Sequence, residues 1–283
     1  MAESRASEGL SSFEHKATGV ILSIEGLLGI AASGFLLISL LNSKGGRDSS
    51  QHALRVSLAI GDLAIGLMCP VVAIASFSEG WPYGSTGCQA YAFVANFFGL
   101  ISIWSLVALV IYRHQTSKVD TKKEDIRSRY SLILAAIWAG AFFWSVTPLP
   151  AIGWGRYCVE PFGTGCLLDF SDREPSYFLY LVGFSGIGLV IPLLLLLTRG
   201  LEGEGVSAGA VTACWKAMLV LCLYWGCYGF VALGSAIGGP DTVPVRIYAL
   251  APLLAKLCPT VNPLVFGKDS SFEAADVKEQ KKH

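Results

Sequence analysis

Long apolar runs separated by short polar segments dominate the chain. Seven such runs lie near residues 18–41, 53–77, 88–112, 130–150, 177–199, 211–237 and 244–266. A run of about 20 apolar residues is long enough to cross the hydrocarbon core of a bilayer as a helix. Residues 186–198 (GIGLVIPLLLLLT) are apolar on every side of a helix, which argues against a large soluble helical bundle. The pattern predicts an all-α membrane protein with seven transmembrane helices.

The composition supports a lipid environment. Hydrophobic residues make up 53% of the chain and charged residues only 15%, whereas soluble domains carry about 25% charged residues. The formal net charge is zero, so nothing indicates a nucleic-acid partner. Eight cysteines and four histidines are present without the spacing of metal ligands. We therefore expect the lipid bilayer as a partner and no metal site.

Lysine and arginine are unevenly distributed among the segments that join the runs. The basic residues around the ends of the first and third runs are Lys44, Arg47, Arg55, Arg113, Lys118, Lys122, Lys123, Arg127 and Arg129. Residues 78–87, after the second run, have none. Because short cytoplasmic loops are enriched in these residues, we expect a tail of residues 1–17 on the outer or lumenal side. After this tail we expect a membrane domain of residues 18–266 and then a short cytosolic tail of residues 267–283. The type of membrane, intracellular or plasma, stays open.

One lysine lies in the middle of the seventh run. Lys256 is about ten residues from either end of that run, too far for its side chain to reach the interface. An ionisable residue at such depth indicates a functional site. A desolvated lysine amine is a usable nucleophile and condenses with aldehydes to Schiff bases. A hydrophobic aldehyde that enters the membrane interior is a suitable ligand.

The surroundings of this lysine resemble a known family. Residues 262–266 (NPLVF) resemble the NPxxY signature of rhodopsin-like G-protein-coupled receptors, and Lys256 precedes Asn262 by six positions, as the retinal lysine does in opsins. Further matches are residues 57–63 (SLAIGDL), Cys88, Arg113 and Pro192. The resemblance covers nearly the whole chain. It implies a seven-helix bundle of the rhodopsin-like type, with retinal attached to Lys256.

One branch of the opsins is most similar. Residues 160–166 (EPFGTGC) and 255–262 (AKLCPTVN) are similar to retinochrome and to the pigment-epithelium retinal receptor. The resemblance implies that all-trans retinal is bound in the dark and converted to 11-cis in light. A retinal-carrier protein or a dehydrogenase is then an expected partner.

A protonated Schiff base in an apolar pocket needs an anion. The helix 3 glutamate that serves visual rhodopsins is replaced here by Tyr91, which is neutral at neutral pH. By resemblance, Glu160 is the counterion. The alternative for Glu160 is that it is simply an acid exposed in a loop. Glu25, an acid inside the first run, is a rival counterion or a protonated structural acid. Asp62 belongs by resemblance to a deeper polar network.

Further site residues follow from the resemblance alone. Asn262 and Arg113 are the other members of the polar network of Asp62. Cys88 and Cys166 are expected to form a disulfide, with Cys158 as a nearby competitor. The residues expected to line the retinal pocket are Tyr91, Ala95, Asn96, Gly99, Phe184, Trp225 and Tyr228. Each of these, taken singly, also fits ordinary packing.

Two functions compete, a light-activated receptor that drives a G protein and a photoisomerase. The groups that transmit activation are altered: Tyr112 replaces an acid, Cys227 a kinking proline, and Phe266 a tyrosine. The segment 199–210 between the fifth and sixth runs is short and Gly-rich. These departures favour a light-driven isomerase with weak or absent G-protein coupling. No motif of a conventional ground-state enzyme is present in the sequence.

Overall fold

The computed structural model describes residues 9–43, 50–117, 123–170, 172, 174–202, 205–238 and 242–267. The helices are α1 (Ser12–Asn42), α2 (Ser50–Phe77), α3 (Gly84–Thr116), α4 (Lys123–Val146), α5 (Pro175–Ser185), a π-helical segment (Gly186–Val190), α6 (Ile191–Leu201), α7 (Ala208–Gly238), α8 (Val245–Ala255) and α9 (Cys258–Phe266). Two short strands, β1 (Tyr157–Val159) and β2 (Cys166–Leu168), lie between α4 and α5.

These helices form seven spans. Six are each long and apolar enough to cross a membrane, and the fifth of them combines α5, the π-helical segment and α6. The pair α8 and α9 passes the same test as one span bent by 40°. The predicted seven-helix membrane fold is confirmed. We call the end of the bundle where α1 begins the N-terminal face, and the end where α9 finishes the C-terminal face.

The seventh span differs from its prediction as a continuous helix over 244–266. Its helix is broken at Lys256 and Leu257, between α8 and α9. Pro259 explains the break, because it lacks the N–H that would bond the carbonyl of Ala255 and its ring crowds that carbonyl. The fourth span was predicted to end at residue 150, but α4 ends at Val146, just before Pro148. The break places the lysine at a bend in the middle of the bundle.

The third span occupies the centre of the bundle. It packs against α2, α4, α6 and α7 and against both strands. Leu100, Ile101, Leu106 and Leu109 on α3 are almost fully buried. A helix that is buried on every side is apolar all round. The continuous run of buried positions in α3 agrees with this central place. The functional side chains of α3 are therefore held in a rigid position.

The two strands and the turn between them, residues 157–168, lie over the N-terminal face. We call this segment the lid. Cys158 pairs with Leu167 in the antiparallel register, and a disulfide joins Cys166 to Cys88 at the start of α3. The chain reverses through Gly163, whose φ of 83° is favourable only for glycine. Gln89 donates a 2.9 Å hydrogen bond to the carbonyl of Tyr157. These links hold the lid down onto α3.

Several sequence predictions concern parts of the chain outside the described residues. Lys44, Arg47, Lys118 and Lys122, which carry much of the orientation argument, lie there, as does the C-terminal tail after Gly267. The orientation across the membrane therefore stays a prediction.

Candidate functional site

A cavity lies directly beneath the lid. It lies between the lid, α2, α3, α7 and α8. Its lining consists of Ile65, Met68, Val72, Tyr91, Ala95, Asn96, Glu160, Gly165, Cys166, Leu167, Trp225, Tyr228, Pro252, Ala255 and Lys256. Most of these side chains are apolar, whereas one amine and one carboxyl project into the same space.

Lys256 is the amine of this cavity. Its side chain is only 7% exposed, and its Nζ lies 5.9 Å from the centroid of the Tyr91 ring. Apolar groups of Pro252 and Ala255 on the preceding turn share the cavity wall. A lysine in such a position is costly unless its amine takes part in a reaction or an ion pair. The position therefore points to chemistry at Nζ.

Glu160 is the carboxyl of the same cavity, and it comes from the lid. It is 7% exposed, and its Oε1 atom is fully buried without a hydrogen-bond partner among the described residues. Burial raises the pKa of Glu160 to about 8, although attraction from Lys256 acts in the opposite direction. The carboxyl is therefore close to the point at which it gains or loses a proton at neutral pH.

A glycine leaves space for this carboxyl. A Cβ added to Gly165 would lie 2.5 Å from Oε2 of Glu160 and 2.9 Å from the ring of Phe162. The backbone also holds Glu160 in place, because its N–H donates to the carbonyl of Gly165 at 2.9 Å and its carbonyl accepts from Gly163 at 2.8 Å. The tight turn directs the carboxyl into the cavity.

A second cavity adjoins the first. Asn96, Trp225 and Tyr228 line both. Phe184, predicted in the pocket, lines only this second cavity, beside Gly188 and Leu189 of the π-helical segment. The two cavities together form a slot that leads from Lys256 toward the fifth span.

Gly99, which was also predicted to line the retinal pocket, lies next to the ring of Trp225. It is buried but lines neither cavity, and a Cβ added to it would lie 3.0 Å from the Trp225 ring. Its role is to let the indole of Trp225 lie close to the backbone of α3. Ala95 and Asn96, one turn earlier, do face the cavity of Lys256, and the Asn96 amide donates to the carbonyl of Ala92 at 2.9 Å.

The wall formed by the second helix was missed in the sequence. Ile65, Met68 and Val72 line the cavity of Lys256. Their spacing of three and four residues places them on one face of a helix. That spacing is a usable signal, but a lipid-facing stripe has the same apolar character, so hydrophobicity alone does not identify the wall.

The predicted polar network divides into two places. The Asp62 carboxylate accepts hydrogen bonds from Ser102 at 2.5 Å and from Asn262 at 3.1 Å. Arg113 donates to the carbonyl of Phe266 at the C-terminal face. Only one oxygen of the Asp62 carboxyl is thus bonded by neutral donors, since its buried Oδ2 atom has no hydrogen-bond partner among the described residues. The grouping of Arg113 with Asp62 stays a prediction.

The expected disulfide between Cys88 and Cys166 is present, with Cα atoms 5.4 Å apart. Cys158, the competitor, is a free and partly buried cysteine. It lies on β1 opposite Leu167, which neighbours the disulfide. Burial raises the pKa of the Cys158 thiol to about 12, so this thiol is poorly suited to exchange with the bridge.

Comparisons with known proteins agree with this geometry. A profile of the 7 transmembrane receptor (rhodopsin family) matches residues 33–199. The RPE-retinal G protein-coupled receptor of Homo sapiens is 31% identical over 270 residues, which cover 93% of this chain and 90% of that protein. The visual pigment-like receptor peropsin of Mus musculus is 25% identical, over 92% and 83% of the two chains. The crystal structure of squid rhodopsin superposes with a TM-score of 0.77 at 19% identity, covering 96% of this chain and 86% of that one.

Proposed function

The chain belongs to the rhodopsin family of seven-transmembrane receptors, in the opsin branch of the RPE-retinal G protein-coupled receptors, and on that basis we propose that it is a retinal photoisomerase. Retinal is attached to Lys256 as a Schiff base, with Glu160 as its counterion. All-trans retinal is bound in darkness, and light converts it to 11-cis. The relatives' names support retinal as the ligand.

The observation that carries this proposal is the pairing of a buried amine with a buried carboxyl in an apolar cavity. Retinal supplies an aldehyde that condenses with an amine and a polyene that absorbs light and changes configuration. Glu160 has an Oε1 atom without a hydrogen-bond partner in the described part of the chain, which leaves it free to face a cation at Nζ. The donor set and the cavity therefore fit this ligand.

The residues around Lys256 have separate tasks in this proposal. Lys256 supplies the nucleophilic Nζ atom, which attacks the aldehyde carbon as the neutral amine. Glu160 stabilises the positive charge that Nζ carries in the bound state. The lid, fixed by the Cys88–Cys166 disulfide, excludes water from the pair, and this strengthens their attraction.

The slot formed by the two cavities suits a long, flat and apolar ligand. Its polar atoms lie mainly at the Lys256 end, whereas Phe184, Leu189 and Ala232 line the far end. Asn96, Trp225 and Tyr228 surround the middle, where a polyene would twist. Ligand sites of this kind combine apolar walls with a few polar groups that fix orientation.

The C-terminal face favours the isomerase over the receptor. Arg113 donates to the carbonyl of Phe266 at 3.4 Å, and Arg55 donates to the carbonyl of Gly267 at 2.5 Å. A ring nitrogen of His114 lies 3.3 Å from the carbonyl of Glu202, where the fifth span ends. These contacts bind α2, α3 and the fifth span to the ends of neighbouring helices. Together with the replacements at Tyr112, Cys227 and Phe266, these contacts support an isomerase.

The proposal also covers the orientation of the bundle across the membrane and the proteins with which it interacts. The N-terminal face is outside or lumenal, which suits a disulfide in the lid, and the C-terminal face is cytosolic. A retinal-carrier protein or a dehydrogenase exchanges retinal with the site. Engagement of a G protein is weak or absent.

A light-activated G-protein-coupled receptor is the second candidate, because the chain belongs to a receptor family and keeps Arg113 in α3. The direct test is chromatography of retinal extracted before and after illumination. An isomerase starts with all-trans retinal and ends with 11-cis, whereas a receptor starts with 11-cis retinal.

Substituting Gly165 by alanine tests how the lid places its carboxyl. The added Cβ would collide with Oε2 of Glu160, so the carboxyl must leave its present position. We expect absorption near neutral pH to shift toward the ultraviolet, because the cation at Nζ loses the support of its proposed counterion. Absorption spectra of retinal-loaded protein across a pH series measure the effect.

The matched control is Gly140→Ala on α4, where an added Cβ meets nothing within 4 Å. This variant should keep the parent spectrum. If Gly165→Ala also keeps the parent spectrum over the whole pH series, then the carboxyl of Glu160 is not the group that the lid must place.

A further inference from the structure

A second carboxyl lies in the membrane part of the bundle without a task in the proposed mechanism. Glu25 is in the middle of α1, is partly buried, and has an Oε2 atom that is fully buried. That atom has no hydrogen-bond partner in the part of the chain that the structure describes. A buried carboxyl oxygen without a partner is costly, so its retention calls for a function.

The packing of α1 on the seventh span shows which residue Glu25 faces. The hydroxyl of Ser33 donates to the carbonyl of Pro259 at 2.6 Å. A Cβ added to Gly29 would lie 2.7 Å from Cβ of Pro259, so the two backbones are in close contact there. Both spans run from the N-terminal to the C-terminal face. Glu25 lies one helical turn before Gly29, and Lys256 lies at the bend that directly precedes α9 and Pro259.

The second helix gives an independent reference point. A Cβ added to Gly26, next to Glu25, would lie 2.9 Å from Cβ of Cys69. Cys69 is fully buried and follows Met68, which lines the cavity of Lys256. The charges of both Glu25 and Lys256 act on the Cys69 thiol, and Lys256 is the charge that acts on Glu25. Glu25 therefore approaches Lys256 from α1, whereas Glu160 approaches it from the lid.

We propose that Glu25 is a second acid–base group of the Lys256 site. It carries protons between Nζ and water during attachment and release of the aldehyde, while Glu160 balances the charge. This inference rests on the proposed function.

The reaction needs such a group. Hydrolytic release starts from the protonated Schiff base and consumes one water. The oxygen of that water becomes the aldehyde oxygen, and its two protons both move to Nζ. The aldehyde leaves, and Lys256 remains as an ammonium group. Attachment reverses every transfer. A carboxyl that must stay ionised to balance the cation cannot also carry these protons, so two acids with different tasks suit the site better than one.

The other titratable groups near Nζ are less suitable. The groups that act on Lys256 or lie beside it are Glu25, Cys69, Tyr91 and Glu160. Thiols and phenols ordinarily titrate well above neutral pH, and an efficient acid–base group titrates near the working pH. The Cys69 thiol already donates to the carbonyl of Ile65. Glu25 is the remaining carboxyl.

A zero-length cross-link in the retinal-free protein tests the geometry. A lipophilic carbodiimide activates a buried carboxyl, and an amine in contact then displaces the leaving group to form an amide. We expect a mass-spectrometric cross-link between the peptides that contain Glu25 and Lys256. Glu14→Gln, which alters an acid on the same helix about 16 Å away, should keep the cross-link. Glu25→Gln should lose it.

Retinal exchange in darkness then tests the role. Glu25→Gln should slow attachment of all-trans retinal and dark release roughly 100-fold, the lower range for general acid–base catalysis, while the absorption maximum stays unchanged. Glu25→Asp should recover part of both rates. The inference is overturned if wild-type Lys256 cross-links only to Glu160, or if both rates of Glu25→Gln stay within a factor of two of the parent. The cross-link is measured without retinal. It therefore tests the position of Glu25 even if retinal does not attach to Lys256.

Discussion

Replacing Lys256 by methionine should abolish the visible absorption band of the retinal-loaded protein while the protein is still made and inserted. The reason is that Nζ is the proposed site of attachment, and no other described amine lines the cavity. Methionine has a similar length, so it fills the space of a side chain that is only 7% exposed. It also removes a buried charge, which is costly when unpaired. Absorption spectroscopy and immunoblotting measure the two outcomes.

The matched control is Lys216→Met, which alters an exposed lysine on α7. This variant should bind retinal and absorb as the parent does. Borohydride reduction of the parent in darkness should attach the retinyl group to the peptide that contains Lys256. A visible pigment in Lys256→Met, or a stable label on another lysine, would refute the proposed attachment.

Glu160→Gln is expected to have the second largest effect. It removes the proposed counterion of the cation at Nζ, so the linkage loses its proton near neutral pH and absorption moves toward the ultraviolet. An opposite charge nearby favours the charged form of a titratable group, and its loss in a site of low polarity favours the neutral form. Acidification should restore the visible band, and a pH series of spectra measures this.

Glu174→Gln serves as the control, because Glu174 is an exposed acid on the same face that caps α5. Its spectrum should follow that of the parent at every pH. If Glu160→Gln titrates like the parent and Glu25→Gln does not, then Glu25 is the counterion, and the division of tasks between the two acids is wrong.

The sequence predicts the seven spans and the depth of Lys256 because both depend on local hydrophobicity. Apolar runs of sufficient length must become helices in lipid, and a lone lysine within one is conspicuous. The break at Lys256 was harder to foresee, since prolines are tolerated in many transmembrane helices. Here Pro259 is close enough to the lysine to end the hydrogen-bond ladder beside it.

Long-range packing accounts for what the sequence left open. The inward position of Glu160 depends on a turn, on the space at Gly165 and on a disulfide to α3. Phe184 lines the second cavity and not the first, and a π-helical segment follows it in the fifth span. Because residues 186–198 are apolar on every side, the pattern gives no sign of the extra residue in that turn. The proposed approach of Glu25 to Lys256 likewise depends on the close contact of Gly29 with Pro259.

Chromatography of retinal oximes tests the central claim most directly. Purified full-length protein is loaded with all-trans or 11-cis retinal in darkness, and the isomers are extracted before and after illumination. Nucleotide exchange on purified G proteins is measured in parallel. We predict preferential dark binding of all-trans retinal, mostly 11-cis retinal after light, and little light-dependent exchange. Dark 11-cis retinal that becomes all-trans in light, together with strong exchange, would contradict the isomerase and leave a light-activated receptor.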